Sequence, residues 1–564
     1  MTVGPLGKTA GVNRVLLRRR GDAAVEAREY ADDGTAVGVT RLSAGELAGF
    51  VGDRERAPVR WVWDDTTRWY PALLEAGVRV ERCTDLRLTH AVLRRSPFVD
   101  RSALVSGDTP GWDALQPVTV TDPGLFPLED PADRLDPVAE HERQQAALTA
   151  SSERGRLGLL LAAESSGALV AAEMTHAGLP WRADVHDRLL TELLGPRPSP
   201  GRRPATLERL LGEIRAAFGV PELNPDSPAD LLRALQAAGL RVEDTRSWTL
   251  EQFDHPGMPA LLEYKKLTRL LQANGWSWLE SWVREGRFRS YFLPGGVVTG
   301  RWASNGGGAL SVPLQVRPAA VADEGWRFVV ADVAQLEPRV LAGMSADVAM
   351  AGAARATDLY QGMVTGGAVP TRADAKVGML GAIYGGTRGE SGRMMPRLAR
   401  RYPRAIGLVE EAARAGERGE VVHTLLGRGS PPPTGAWAER PVELGEPPAE
   451  VGPREERDRH RRAWGRFTRN FVVQGTGAEW TLCWLADLRN RLWRLGGTGS
   501  VRERPHLVFF LHDEVVVHAP EHVTEDVVEE VRRAAVTAGR LLFGGFPVDF
   551  PLDVAVVRSW ADAG

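Results

Sequence analysis

Residues 329–343 of the chain read VVADVAQLEPRVLAG. The apolar, β-branched run before Asp332 predicts a buried strand, and the periodic segment after it predicts a helix, with Pro338 early enough to be tolerated in the first turn. An acid at that junction is most simply a helix N-cap. Residues 510–517, FLHDEVVV, set His512 and Asp513 at a tight turn between two apolar strands, and an aspartate in a hairpin turn is equally ordinary. The flanks change the reading. Strands that are apolar on both sides belong in a buried sheet, and a carboxylate at the edge of such a sheet needs a partner. Two aspartates on adjacent strands suffice to hold a pair of Mg2+ ions about 4 Å apart for phosphoryl transfer, because magnesium keeps water and phosphate oxygens as its other ligands. One ion would activate a 3′-hydroxyl and the other would escort the pyrophosphate.

A third segment lies between these two. In TRADAKVGMLGAIYGG, residues 371–386, Arg372, Lys376, Leu380 and Tyr384 recur every four residues, along one slowly drifting face of a helix. The bland reading is a solvated first turn followed by a buried stripe. In the functional reading the cations grip a triphosphate, while Leu380 and Tyr384 pack on a base and sugar. Lys376 favours the second: the 70 basic residues include only four lysines, Lys8, Lys265, Lys266 and Lys376. So arginine-rich a chain, also rich in Ala, Gly and Pro, resembles the product of a GC-rich genome.

In this order the three segments resemble the family A DNA polymerases, the DNA polymerase I type. That family has D-Y-S-Q-I-E-L-R, R-x-x-x-K-x-x-x-F-G-x-x-Y-G and V-H-D-E where this chain has DVAQLEPR, RADAKVGMLGAIYG and LHDE. VVTGRWASN (297–305) looks like the family's T-G-R-L-S-S segment, RFTRNFVVQGTGAEW (466–480) like its R-x-x-x-N-x-x-x-Q-G-T-A-A helix, and LLEYKKLTRLL (261–271) like the helix leading into the palm. RYP (401–403) and EVVHTLLGR (420–428) have counterparts as well. The resemblance covers roughly residues 170–564.

It implies a template-directed DNA polymerase (a nucleotidyltransferase) of replication or repair, using two Mg2+ ions, primer-template DNA and dNTPs. Asp332 and Asp513 would hold the metals, with Glu514 supporting and Lys376 assisting catalysis. Arg372, Lys376, Leu380, Tyr384, Gln335 and Glu337 would line the nucleotide site, Glu337 crowding the sugar 2′ position. Arg301, Arg466, Asn470, Gln474 and His512 would contact DNA, testing pair geometry in the minor groove without reading sequence. The departures are Leu380 for the family's aromatic, Val333 and Ala334 for Tyr and Ser, Phe510 for Gln, and a shortened segment after Tyr384. None removes a metal ligand.

The fold class expected is α/β multidomain: an exonuclease-like (RNase H-like) α/β domain followed by a right-hand polymerase with palm, fingers and thumb. Residues 1–165 would form the 3′–5′ exonuclease-like domain, 166–285 connecting helices and thumb, 286–345 the first part of the palm, 346–460 the fingers and 461–564 the second part of the palm. RVLLRRRGDAAVEA lacks the Asp-x-Glu that an exonuclease needs on its first strand, and in WVWDDTTRWYPALL Arg68 or Trp69 falls where a metal-binding aspartate belongs. Asp85 in CTDLRL is one leftover acid, which cannot hold two Mg2+ ions, so the domain is expected to be inactive. A 5′ nuclease domain, present in longer relatives, is expected to be absent. The competing readings are a catalytically weakened DNA-binding protein and a polymerase with residual exonuclease activity.

Composition sets outer limits. A chain of 564 residues with 43% hydrophobic side chains can build several cores. A net charge of −3 does not by itself announce a nucleic-acid partner. The two cysteines, Cys83 and Cys483, are far apart in sequence, so neither a disulfide framework nor a zinc site is indicated. The N-terminus lacks the apolar core of a secretory signal, and no run of about 18 apolar residues is evident to span a bilayer. The chain is therefore expected in the cytoplasm, as a monomer. PRPSPGRRP (196–204) reads as an exposed loop and the Pro/Gly/Glu-rich stretch 427–457 as a mobile one.

Overall fold

The apolar runs of the first hundred residues become strands β1 (Val12–Arg20), β2 (Ala24–Ala31), β3 (Ala36–Ser43), β4 (Arg60–Trp63) and β5 (Cys83–Asp85). They form one sheet in the order β3-β2-β1-β4-β5, with β1–β2–β3 antiparallel and β1–β4 and β4–β5 parallel. Parallel neighbours need crossovers, and helices α1 (Ala44–Arg54) and α2 (Thr66–Glu75) provide them. Because helices cover both faces, β4 reads RWVW, with Trp61, Val62 and Trp63 all buried. Helix α3 (Leu86–Leu93) follows β5 directly. The structure, a computed structural model, describes residues 12–20, 24–31, 33–100, 110–117, 134–308, 310, 312–355, 358–386, 389–433, 453–496 and 499–563. Most of the stretch 427–457 read as a mobile loop thus lies outside the described residues.

Helix α4 (Arg154–Ala177) overturns one expectation from sequence. It is long and apolar enough to cross a membrane, although 72% of its most apolar stretch is buried within the protein. Its Glu164 and Glu173 are instead matched by Arg428 and Arg489, the pairing a buried carboxylate requires. The helix runs straight through position 165 and ends at Gly178, in left-handed conformation at φ 70°.

Two compact units result. One holds the chain through Ala177 together with Tyr291–Asn305 and Val329–Val556; the other holds Gly178–Ser290, Gly306–Phe328 and Val557–Gly564. The second unit is mainly helical, with helices Ala183–Leu194, Ala205–Phe218, Pro228–Ala237 and Met258–Asn274. The third of these is capped at its start, Ser227 Oγ accepting from Asp230 N at 3.3 Å. Trp181, Trp278 and Phe288 pack at ring separations of 4.8–5.8 Å around His186. Burial drives that ring down to about 4, and it bridges Trp181 Nε1 and the Asn274 carbonyl, which makes it a core histidine.

In the first unit a second sheet carries the segments quoted at the outset. Strands β6 (Trp326–Val333), β7 (His506–Leu511), β8 (Glu514–Pro520) and β9 (Leu552–Val557) lie in the order β7-β8-β6-β9. Around it are α5 (Leu336–Ser345), α6 (Leu359–Thr365), α7 (Arg372–Tyr384), α8 (Gly389–Arg401), α9 (Pro403–Glu417), the 43-residue α10 (Pro453–Leu495) and α11 (Thr524–Phe543). The strand at WRFVVADV, the helix after it and the hairpin all fall where hydrophobic patterning puts them.

Candidate active site

Sheet order brings the two aspartates together. Asp332 is the penultimate residue of β6, Asp513 lies in the turn between β7 and β8, and β8 is the neighbour of β6. Val333 N donates to the Asp513 carbonyl at 3.3 Å, so both acids stand at the same edge. The tight turn, closed by the Leu511–Glu514 pair, requires His512 at φ 58°, and the passage from β6 into α5 requires Gln335 at φ 51°. Left-handed conformation is uncommon in non-glycine residues and concentrates at functional turns.

The electrostatics of this edge call for a cation. Burial first, then the charges of Asp513 and Asp553, push the Asp332 carboxyl up to about 6. Burial also raises Asp513, reinforced by Glu337 and Glu514 and opposed by Arg301. Among the described residues no side chain donates a hydrogen bond to either carboxylate, and no group of three or more His, Cys, Asp or Glu side chains can hold a metal ion by itself. Two half-desolvated carboxylates facing each other fit a hard divalent cation whose remaining ligands are water and phosphate oxygens.

Beside them lies a hydrogen-bonded cluster. Arg301 Nη2 donates to Glu337 Oε1 at 2.6 Å, Tyr384 Oη donates to the same carboxylate at 2.8 Å, and Gln474 Nε2 donates to Tyr384 Oη at 3.3 Å. The arrangement unites α5, α7, α10 and the segment before β6, which are distant in sequence. Burial and the nearby Arg301 lower the His512 imidazole, placing that residue at the cluster too. A side chain at Gly385 would meet Arg466 Cγ at 2.7 Å, and that glycine sits at φ 79°. Arg466 thus lies against the end of α7, which explains the glycine after Tyr384. Asn470 Oδ1 is buried without a hydrogen-bond partner among the described residues.

The remaining candidates are placed differently. Arg372 is exposed, but its Nε pairs with Asp358 Oδ2 at 2.5 Å and its guanidinium lies 5.8 Å from the Tyr360 ring. Lys376 is exposed and Leu380 half-buried on the same helix. The Gln335 amide oxygen accepts from Leu359 N at 3.1 Å and from Arg339 at 3.3 Å, so this side chain anchors α6 rather than facing the acids. Glu514 opens β8 next to Asp513.

Two participants escaped the sequence reading. Asp553, on β9 beside β6, adds a third negative charge to the edge, and its signal was a lone acid inside the apolar run PLDVAVV. Asp358 caps α6 and neutralises Arg372, and nothing in the local sequence distinguishes it from an ordinary cap. One of the departures has a visible partner. Phe510 packs edge-on against Trp302 at 5.2 Å, so an aromatic pair fills the space behind the hairpin.

Comparison with known proteins agrees with this architecture. Among solved structures, the POL domain of Pol1 from M. smegmatis, in complex with DNA primer-template and dNTP, superposes with a TM-score of 0.64 at 19% identity, covering 96% of this chain and 93% of that one. The fold is therefore that of a polymerase domain. The chain matches DNA polymerase family A over residues 202–562 and belongs to that family. It is 28% identical over 402 residues to the thermostable DNA polymerase I of Thermus filiformis, covering 63% of this chain and 44% of that protein. To DNA polymerase I of Chloroflexus aurantiacus it is 27% identical over 366 residues, covering 60% of this chain and 36% of the relative. The chain thus spans less than half the length of these relatives.

Proposed function

We propose that the chain is a template-directed DNA polymerase adding dNTPs to a primer 3′ end. The observation that carries this reading is the pairing of Asp332 and Asp513 at one sheet edge, next to the Arg301–Glu337–Tyr384 cluster, in a chain of DNA polymerase family A. Asp332 and Asp513 would hold two Mg2+ ions, with Glu514 in support. When bound, the metal supplies the charge that activates the primer hydroxyl and offsets the leaving pyrophosphate.

The chain's own residues bind and orient. Arg372 and Lys376, on the exposed face of α7, meet the triphosphate; Arg372 must first exchange Asp358 for a phosphate, a trade of one anion for a more charged one. Leu380 and Tyr384 pack on the nascent pair. Glu337, fixed by two donors, stands where a ribose 2′-hydroxyl would intrude. Arg301, Arg466, Asn470, Gln474 and His512 contact the duplex, and the free Asn470 oxygen suits a minor-groove donor. Residues 286–345 and 461–564 serve as palm, 346–460 as fingers and 166–285 as connecting helices and thumb.

The first 165 residues we read as an exonuclease-like scaffold without activity. Three antiparallel strands followed by two parallel ones support the likeness, and the state of the acids supports the inactivity. Asp65 accepts from Thr67 N and Oγ1 and from Arg87 Nε, at 2.6–2.8 Å. Asp85 accepts from Thr66 N and Oγ1 and from Leu88 N, at 2.7–2.9 Å. Asp64 accepts from Trp69 Nε1. Carboxylates so engaged have little left to offer a metal. The protein would act as a monomer in the cytoplasm, in replication or repair.

Primer extension on an undamaged primer-template is the test. Wild-type protein with Mg2+ should extend the primer and Asp513→Asn should not; equal extension by the two would defeat the assignment.

A further inference from the structure

The segment from Leu359 to Arg404 carries eight basic and two acidic residues, a net charge of +6 in a chain whose total is −3. Half of that excess lies on α8 and at its end. Arg393, Arg397, Arg400 and Arg401 are all exposed, and among the described residues none of them forms an ion pair. Packing dictates which way they point. The ideal Cβ position of Gly378 on α7 lies 3.0 Å from Met394 Cβ and 3.1 Å from Leu398 Cδ1, and Ser391 Oγ donates to the Val377 carbonyl at 3.3 Å. The apolar side of α8 is therefore committed to α7, and its arginines are left to solvent.

We propose that this face of α8 is a docking ladder for the phosphodiester backbone of the single-stranded template ahead of the primer terminus. The inference rests on the polymerase reading above. Arg393, Arg397 and Arg400 follow at intervals of four and three residues, the spacing of one helix face. At about 1.5 Å rise per residue they extend over about 10 Å, far enough to meet more than one phosphate of a strand. A bound nucleotide needs no ladder of that reach. Near the end of α8, Arg397, Arg400 and Arg401 together with Gly367–Pro370 line an open cavity of about 490 Å3, with room for a phosphate group and its hydration.

Chemistry selects the partner. Guanidinium forks match phosphate oxygens two at a time and are weakly hydrated, so they exchange water for phosphate readily. Residues 389–401 include no aromatic side chain on which bases could stack, so the ladder holds backbone without reading sequence. It also starts at the right place. Ser391, near its first rung, lies against Gly381 and Gly386, on either side of Tyr384. A template strand leaving the Tyr384 cluster thus meets the arginines in succession.

The test uses the full chain with Arg393, Arg397 and Arg400 all changed to Ser, beside a control with all three changed to Lys. Binding is measured against salt on two DNAs: a primer-template with a template overhang of about 12 nucleotides, within the range of one single-strand site, and a blunt duplex of the same sequence. On the overhang the slope of log affinity against log salt should fall by about 0.7 per arginine, about 2 in all. The blunt duplex should show no change and the Lys control should keep the wild-type slope. Single-nucleotide insertion by the Ser variant at saturating DNA should keep its rate, with an unchanged unfolding midpoint. An unaltered slope on the overhang, or an equal loss on both DNAs, overturns the proposal. Failure of the polymerase reading shows separately, as absence of primer extension by the wild type, while the binding arms still score the ladder.

Discussion

Asp85 and Asp332 both stand at the C-terminal ends of strands, and burial beside a second carboxylate drives both up to about 6. Their surroundings are opposite. Every oxygen of Asp85 is occupied by a backbone amide or the Thr66 hydroxyl, and its neighbour Asp65 is tied to Arg87. Asp332 faces Asp513 with no donor from the described residues. A raised carboxyl therefore does not mark a functional site; an unfilled hydrogen-bonding capacity beside a like charge does. The N-terminal acids are part of the fold, and the acids of the second sheet keep hydrogen-bonding capacity unfilled by the described residues.

The largest expected effect tests the second half of that contrast. Asp513→Asn should lower the primer-extension rate at least about a thousandfold, ~4 kcal/mol of barrier, with the unfolding midpoint kept or raised. Arg489→Met tests the first half. It leaves Glu173 to Arg79 at 3.5 Å and the Tyr70 hydroxyl, removes the charged hydrogen bonds from Arg489, and should cost about 1.5–3 kcal/mol in denaturant unfolding, with residual activity falling only as far as the folded fraction falls. Asp85→Asn, which spoils a cap and a buried network, should cost about 1–3 kcal/mol of stability and leave the extension rate per folded molecule unchanged. A large loss of rate there would erase the distinction.

Metal and pH sharpen it further. Because the native Asp332 carboxyl holds its proton more tightly than the unfolded one, its contribution lowers stability as pH rises from about 4 through about 6 in the absence of metal. In thermal melts Asp332→Asn should flatten that part of the profile. Above pH 6, Mg2+ should raise the midpoint of the wild type and of Asp85→Asn, but not of Asp332→Asn. The smallest effect belongs to the aromatic pair behind the hairpin. Phe510→Gln should cost about 1 kcal/mol and only slightly alter the extension rate, because Trp302 loses a packing partner and the acids keep theirs.

Much of this was legible in the sequence where one local pattern sufficed. The strand into Asp332, the hairpin at Asp513 and the helix from Arg372 to Tyr384 each follow from periodicity and breakers. That Asp332 and Asp513 share an edge depends on sheet order, which their own segments do not encode; the order of motifs along the chain supplied it. The side-chain partners were out of reach. Gln335 turning to Leu359, Asp358 holding Arg372 and Asp553 joining the acids all depend on tertiary neighbours far along the chain. The apolar stretch of α4 was misjudged for a related reason: its two glutamates are answered by arginines hundreds of residues away.

Arg489 has an evolutionary consequence. From the long helix α10 it reaches Glu173 on α4, the Tyr70 hydroxyl on α2 and the Val80 carbonyl. Single substitutions can remove one side chain from this layer, but no small step removes the layer itself. A lineage that shed those residues would expose the back of α10 and leave a guanidinium facing nothing. The N-terminal layer is therefore inherited as architecture, its sequence most constrained where Arg489 leans on it.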